Sequence, residues 1–159
     1  MTLVRTSISL VVAAAAALLA AACGSDAAVD TAVSPSEIRG PTMRPGENCL
    51  RCHSPTGGVG APTWTAGGTI YPRRDADQGE GVEGVNVTIT DADGKTVTLV
   101  TNEVGNFFTD EPLTKPYRVA IEYEGRTKQM PREAPAGSCN ACHSWPDRSG
   151  GAPGRIYVP

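Results

Sequence analysis

Cys49, Cys52 and His53 stand in "ENCLRCHSP", and about ninety residues later Cys139, Cys142 and His143 repeat the pattern in "GSCNACHSW". The chain has only two histidines, and each directly follows a Cys-x-x-Cys. Two thiols three positions apart can form thioethers to the two vinyl-derived carbons on one edge of a porphyrin. The next residue then swings its imidazole under the ring as an iron ligand. This is the attachment pattern of c-type haem, and two copies predict two covalently bound haems.

Other chemistries fit the cysteines alone. Four thiols in two pairs could make a Cys₄ zinc site or, in an exported protein, two disulfides. Neither explains why both histidines sit where they do. A thioredoxin-like redox pair would need a βαβ setting, and neither copy has one.

The two pentapeptides "CLRCH" and "CNACH" make the chain resemble a dihaem c-type cytochrome. The resemblance implies Cys49, Cys52, His53, Cys139, Cys142 and His143 as the cofactor-binding residues, with His53 and His143 on the irons. Both histidines are then used, so the second axial ligand must come from elsewhere. A methionine thioether is a soft donor that favours Fe(II). Met43 lies six residues before Cys49, and Met130 nine before Cys139. Met43 and Met130 are therefore the candidate distal ligands, with the assignment of each to its haem left open. Core packing of Met130 and an ordinary loop position for Met43 are the competing readings. Trp64, Trp145 and Tyr71 lie in or beside the motif segments and are candidates to pack on the rings. The tails "SPTGGVGAPTW" and "SWPDRSGGAPGRIY" both reach a Gly-Ala-Pro-type turn, as two similar loops would.

The positioning elements lie between the motifs. Val85, Val87 and Ile89 alternate with polar residues, "DADG" is a turn signal, and Val97, Leu99 and Thr101 resume the alternation: a β-hairpin. "GGTIYP", "GNFFT", "PYRVAIEYEG" and "RTKQMP" add short strands, the last an edge strand closed by Pro131. Six or seven strands between Gly67 and Pro131 with no convincing helix predict a mainly β fold, a small antiparallel sandwich flanked by two irregular motif segments. The runs "GGTIYP", "GVNVTITDADGK", "TNEVGNFFTDEPL" and "PYRVAIEYEG" resemble the carboxypeptidase regulatory-like, prealbumin-like β-sandwich. That resemblance implies a fold and no catalytic residues.

Residues 1–22 read as a secretory signal, with Arg5 ahead of the apolar run Ile8–Ala22. That run is short for a membrane span of about 20 residues. "LLAAAC" resembles a lipoprotein box, although Leu19 stands four residues before Cys23, one further than usual. Lipidation of Cys23 would anchor the chain to a bacterial membrane. Gly24 favours the outer membrane over the inner one. A plain secretory cut near Ala22 is the alternative. The expected layout is a signal peptide (1–22), lipid anchor and flexible linker (23–41), first haem segment (42–66), sandwich (67–131) and second haem segment (132–159).

The formal net charge is −3 and no Lys/Arg run occurs, which argues against nucleic acid as a partner. The reading that follows is electron transfer between redox proteins of the periplasm or cell surface by a membrane-tethered cytochrome, not an enzyme. The alternatives are a small dihaem peroxidase or reductase with an open iron site, and a β-sandwich binding module holding zinc or disulfides.

Overall fold

The computed structural model describes residues 40–159. The expected signal over 1–22, the lipidation site Cys23 and most of the linker lie outside the described residues. The chain forms β1 (Ala66–Tyr71), β2 (Asn86–Thr90), β3 (Thr96–Val100), β4 (Asn106–Thr109), β5 (Arg118–Tyr123), β6 (Arg126–Gln129) and β7 (Ile156–Tyr157). Each cysteine pair sits on a single helical turn, a 3₁₀ turn over Cys49–Arg51 and the α-helical α1 (Cys139–Cys142).

The hairpin forms where alternation placed it. Val87 pairs with Leu99 and Ile89 with Val97 across β2 and β3, and on the other side Val87 meets Ile121 and Ile89 meets Val119 of β5. A four-stranded sheet β3-β2-β5-β6 results, with β6 at its edge as expected, beside a three-stranded sheet β4-β1-β7. Val87, Ile89 and Ile121 from the larger sheet, with Val85 and Tyr117 just before β2 and β5, share one buried cluster with Ala66, Ile70 and Phe107 from the smaller. The fold is the expected mainly β sandwich. One strand was not foreseen. Ile156 and Tyr157, in the tail of the second motif, pair in parallel with Ile70 and Tyr71.

Two local features position the motifs. Every residue of β1 is buried, because one face packs on the larger sheet and the other is covered by the first motif. With both faces dry, no period-two pattern is required. After β6 the chain runs beside β5, where Ala134 and Tyr117 exchange backbone hydrogen bonds of 2.7 and 2.9 Å. It then crosses to β1, where the Gly67 N–H donates to the Gly137 carbonyl at 2.9 Å. This crossing carries Cys139 against the core.

The hairpin turn is held by Asp91. Its carboxylate accepts from the backbone N–H groups of Thr114 (3.0 Å), Lys95 (2.8 Å) and Asp93 (2.9 Å). Those donors, Thr114 first, hold its pKa below the ordinary value. A depressed carboxylate stabilises the fold above its unfolded pKa of about 3.9 and loses that contribution as pH falls through the lower folded value. Asp91→Asn should therefore lower stability at neutral pH and flatten the acid limb of a stability–pH curve. Denaturant titrations of both proteins at several pH values check this.

Candidate haem-attachment site

In the first motif the backbone N–H groups of Cys52 and His53 both donate to the Cys49 carbonyl, at 3.2 and 2.9 Å. That turn brings the imidazole of His53 inward, to 4 % exposure. Its Nδ1 lies 2.8 Å from the carbonyl of Pro62. A carbonyl only accepts, so Nδ1 carries a proton, and in the neutral tautomer this selects, the Nε2 lone pair is the one left for an iron. The ring is also held flat. Trp64 stacks on it at 3.5 Å with planes 1° apart, and Phe108 stacks on Trp64 at 4.2 Å.

The second motif repeats the device. The His143 N–H donates to the Cys139 carbonyl at 3.0 Å, and His143 Nδ1 lies 3.0 Å from the Gly154 carbonyl. Burial pushes the His143 pKa down, with the Gly154 hydrogen bond opposing and Lys128 adding to the fall. The neutral form, the one with a free lone pair, is thereby favoured. Each loop thus folds back from its histidine and returns a carbonyl at its Ala-Pro turn, Pro62 in the first copy and Gly154 in the second. The resemblance of the two tails has a physical counterpart in that shared bond. The copies differ in their tryptophans. Trp64 is locked on His53, whereas Trp145 is 38 % exposed with the Arg148 guanidinium 5.4 Å above its ring.

A cavity of about 1100 Å³ opens beside the first motif, lined by Met43, Cys49, Cys52, His53, Trp64 and Phe108 among others. This is at the upper end of cofactor sites, which run to about 1,000 Å³. Two thiols, an imidazole with Nε2 free, a thioether and aromatic walls around one such space fit a haem. Met43 lines this cavity together with the first motif. Met130 does not line this cavity. Its side chain packs half-buried against the core cluster, and its N–H donates to the Val119 carbonyl at 2.9 Å. Tyr71 is fully buried beneath the Arg155 guanidinium, 4.2 Å from its ring, and its hydroxyl donates to the Gln78 carbonyl at 3.3 Å.

The two motifs dock on adjacent glycines of β1, one each. A Cβ at Gly67 would lie 3.4 Å from the Cys49 Cβ, and one at Gly68 would lie 2.9 Å from the Cys139 Cβ. Neighbouring residues of a strand face opposite ways, so Cys49 lies on one face of β1 and Cys139 on the other. The four described cysteines are free thiols. Among the described residues no three His, Cys, Asp or Glu side chains converge where they could share an ion. A haem iron needs only one or two protein ligands, so that geometry bears on zinc alone.

Sequence reasoning missed the polar layer beneath the first motif. Thr69 Oγ donates to Asn106 Oδ1 at 2.8 Å and accepts from the Gly46 N–H at 2.8 Å and from Asn140 Nδ2 at 3.0 Å. Asn106 Nδ2 in turn donates to the carbonyls of Met43 (2.9 Å) and Pro41 (3.2 Å). Side chains so far apart in the chain carry no spacing signal.

No family model, curated protein or solved structure matches this chain.

Proposed function

We propose that this chain is an extracytoplasmic dihaem c-type cytochrome that carries single electrons between redox proteins. The carboxypeptidase regulatory-like sandwich serves as scaffold, and a lipid on Cys23 tethers the protein to a bacterial membrane, the outer one by preference. The observation that carries the reading is the paired histidine geometry. In both copies Nδ1 is engaged by a backbone carbonyl of the same loop, which leaves Nε2 as the free nitrogen beside a Cys-x-x-Cys. Bound haem supplies an iron that cycles between Fe(II) and Fe(III).

The residues around that iron would do the rest. Cys49 and Cys52, and likewise Cys139 and Cys142, fix the position of the ring. The carbonyls of Pro62 and Gly154 set imidazole tautomer and orientation, as outer partners of metal-bound histidines do. Trp64, Phe108 and the other apolar walls exclude water, which limits reorganisation when the charge changes. Met43 is the proposed distal ligand for the first motif. Met130 remains a candidate distal ligand, its haem unassigned, and would have to leave its core contacts to serve.

Expression with export and a haem-maturation system tests this. Intact mass of the mature protein should show two added haems, and Cys49→Ala/Cys52→Ala or Cys139→Ala/Cys142→Ala should each remove one. Met43→Ala should abolish the Met–iron charge-transfer band of one haem. A mature wild-type chain without covalent haem ends the reading.

A further inference from the structure

Asn140 lies between the two cysteines of the second motif, yet its side chain serves the first. It is 2 % exposed. Oδ1 accepts from the Thr69 N–H at 3.1 Å, and Nδ2 donates to Thr69 Oγ at 3.0 Å and to the Glu47 carbonyl at 2.9 Å. A backbone N–H only donates and a carbonyl only accepts, so the orientation of the amide is unambiguous. The bond to Thr69 N–H also completes the free edge of β1. The chain runs beside β1 at Gly137 and Ser138 and again at β7, and between them the Asn140 amide stands in for a strand.

The first cavity is therefore not built by the first motif alone. Asn140, Ala141 and Ser144 of the second motif form part of its wall. Thr69 Oγ gives its one hydrogen to Asn106 and fills both lone pairs with Gly46 and Asn140, and Asn106 holds the Met43 carbonyl. The network is closed. Each buried group has its partner, so removing one member leaves others unsatisfied at full desolvation cost.

We propose that Asn140 is a positioning residue that makes the two attachment sites one unit: the segment from Met43 to Cys49 takes its place over the first cavity only when the second motif is seated on β1. The proposal rests on the dihaem reading for its consequence, distal ligation of the first haem by Met43. The tie itself exists in the polypeptide without haem, and can be read there. Ligation at the first motif then reports the state of the second. Damage at Cys139–His143 loosens Met43, which lies far from it in sequence.

Amide hydrogen exchange on the haem-free protein is the first test. In Asn140→Ala the Gly46 amide should exchange about tenfold faster or more, as one buried hydrogen-bond network is opened locally. The amides of Val87 and Ile89 in β2 should keep their protection. Should Asn140→Ala fold poorly, Asn140→Asp is the second variant. It keeps an acceptor for the Thr69 N–H but loses both donations, and should give the same local pattern. Unchanged exchange at Gly46, or equal loss at Val87 and Ile89, overturns the proposal, the latter because it marks general destabilisation. In the haem-loaded protein Asn140→Ala should weaken the Met–iron band that Met43→Ala removes, with both haems still attached. Full retention of that band overturns the proposed link to ligation. A wild-type chain that takes up no haem sinks the cytochrome reading, while the exchange pattern still decides the tie.

Discussion

In the folded, haem-free protein, a short pulse of iodoacetamide at neutral pH should label Cys52 and leave Cys49 and Cys139 almost untouched. The thiolate is the reacting species, and burial suppresses it at the first cysteine of each motif. The Cys49 pKa is pushed up to about 11, chiefly by burial, with a smaller contribution from Glu47. Cys139 is pushed up to about 12, again by burial first and then by the neighbouring Cys49. Two units above the ordinary thiol value means about a hundredfold less thiolate at any pH well below both. Cys52 is exposed, whereas Cys49, Cys139 and Cys142 are all half-buried, so among the last three the raised pKa of Cys49 and Cys139 makes the difference. Peptide mapping by mass spectrometry after the pulse should rank Cys52 first, Cys142 next, and the other two last. Equal labelling of all four would show that the motif segments are not seated on β1. The consequence is an order of events. On the proposed dihaem reading both thiols of a pair would have to reach one edge of the same ring, so thioether formation would precede closure of Cys49 and Cys139 against Gly67 and Gly68.

The parts of this molecule that were legible in the sequence are those governed by short-range repetition. The β2–β3 hairpin followed from Val85, Val87 and Ile89 alternating up to "DADG", and β5 from Tyr117, Val119 and Ile121 doing the same. The motifs announced their cysteines and histidines by spacing. Three features were illegible, the first two because their cause is distant in the chain. β7 exists because the second motif's tail finds the open edge of β1 at Ile70 and Tyr71. Asn140 carries no signal inside its Cys-x-x-Cys, because its role depends on Thr69 and Glu47. The carbonyls of Pro62 and Gly154 are backbone groups, which no side-chain pattern can flag. Met130 shows the converse: its distance from Cys139 made it a candidate ligand, and the chain after β6 packs it against the core, which was the competing reading.

Gly68 is the position where a single added carbon should do most damage. Its Cβ would come within 2.8 Å of the Phe107 Cζ and 2.9 Å of both Phe107 Cε1 and Cys139 Cβ. Phe107 is 2 % exposed and closed in by the core, so its ring has nowhere to move. Something must shift, and the second motif, held by one helical turn, is the softer side. Gly68→Ala should cost about 1–3 kcal/mol, the usual range for overpacking a filled core, and lower the midpoint of thermal unfolding by several degrees. On the proposed dihaem reading, haem occupancy at Cys139 and Cys142 should fall with it. Gly67→Ala is the control one residue away. Its Cβ would meet Cys49 Cβ and the Phe107 carbonyl at 3.4 Å, contacts at the edge of ordinary packing, so its thermal midpoint should stay close to that of the wild type. Trimming the obstacle should repair the damage: Phe107→Leu, mildly destabilising alone, should be less so in the Gly68→Ala background, a coupling that a thermal double-mutant cycle measures. If the two alanine variants melt alike, the opposed seating of Cys49 and Cys139 on the two faces of β1 is wrong, and with it the arrangement that brings the two attachment sites together.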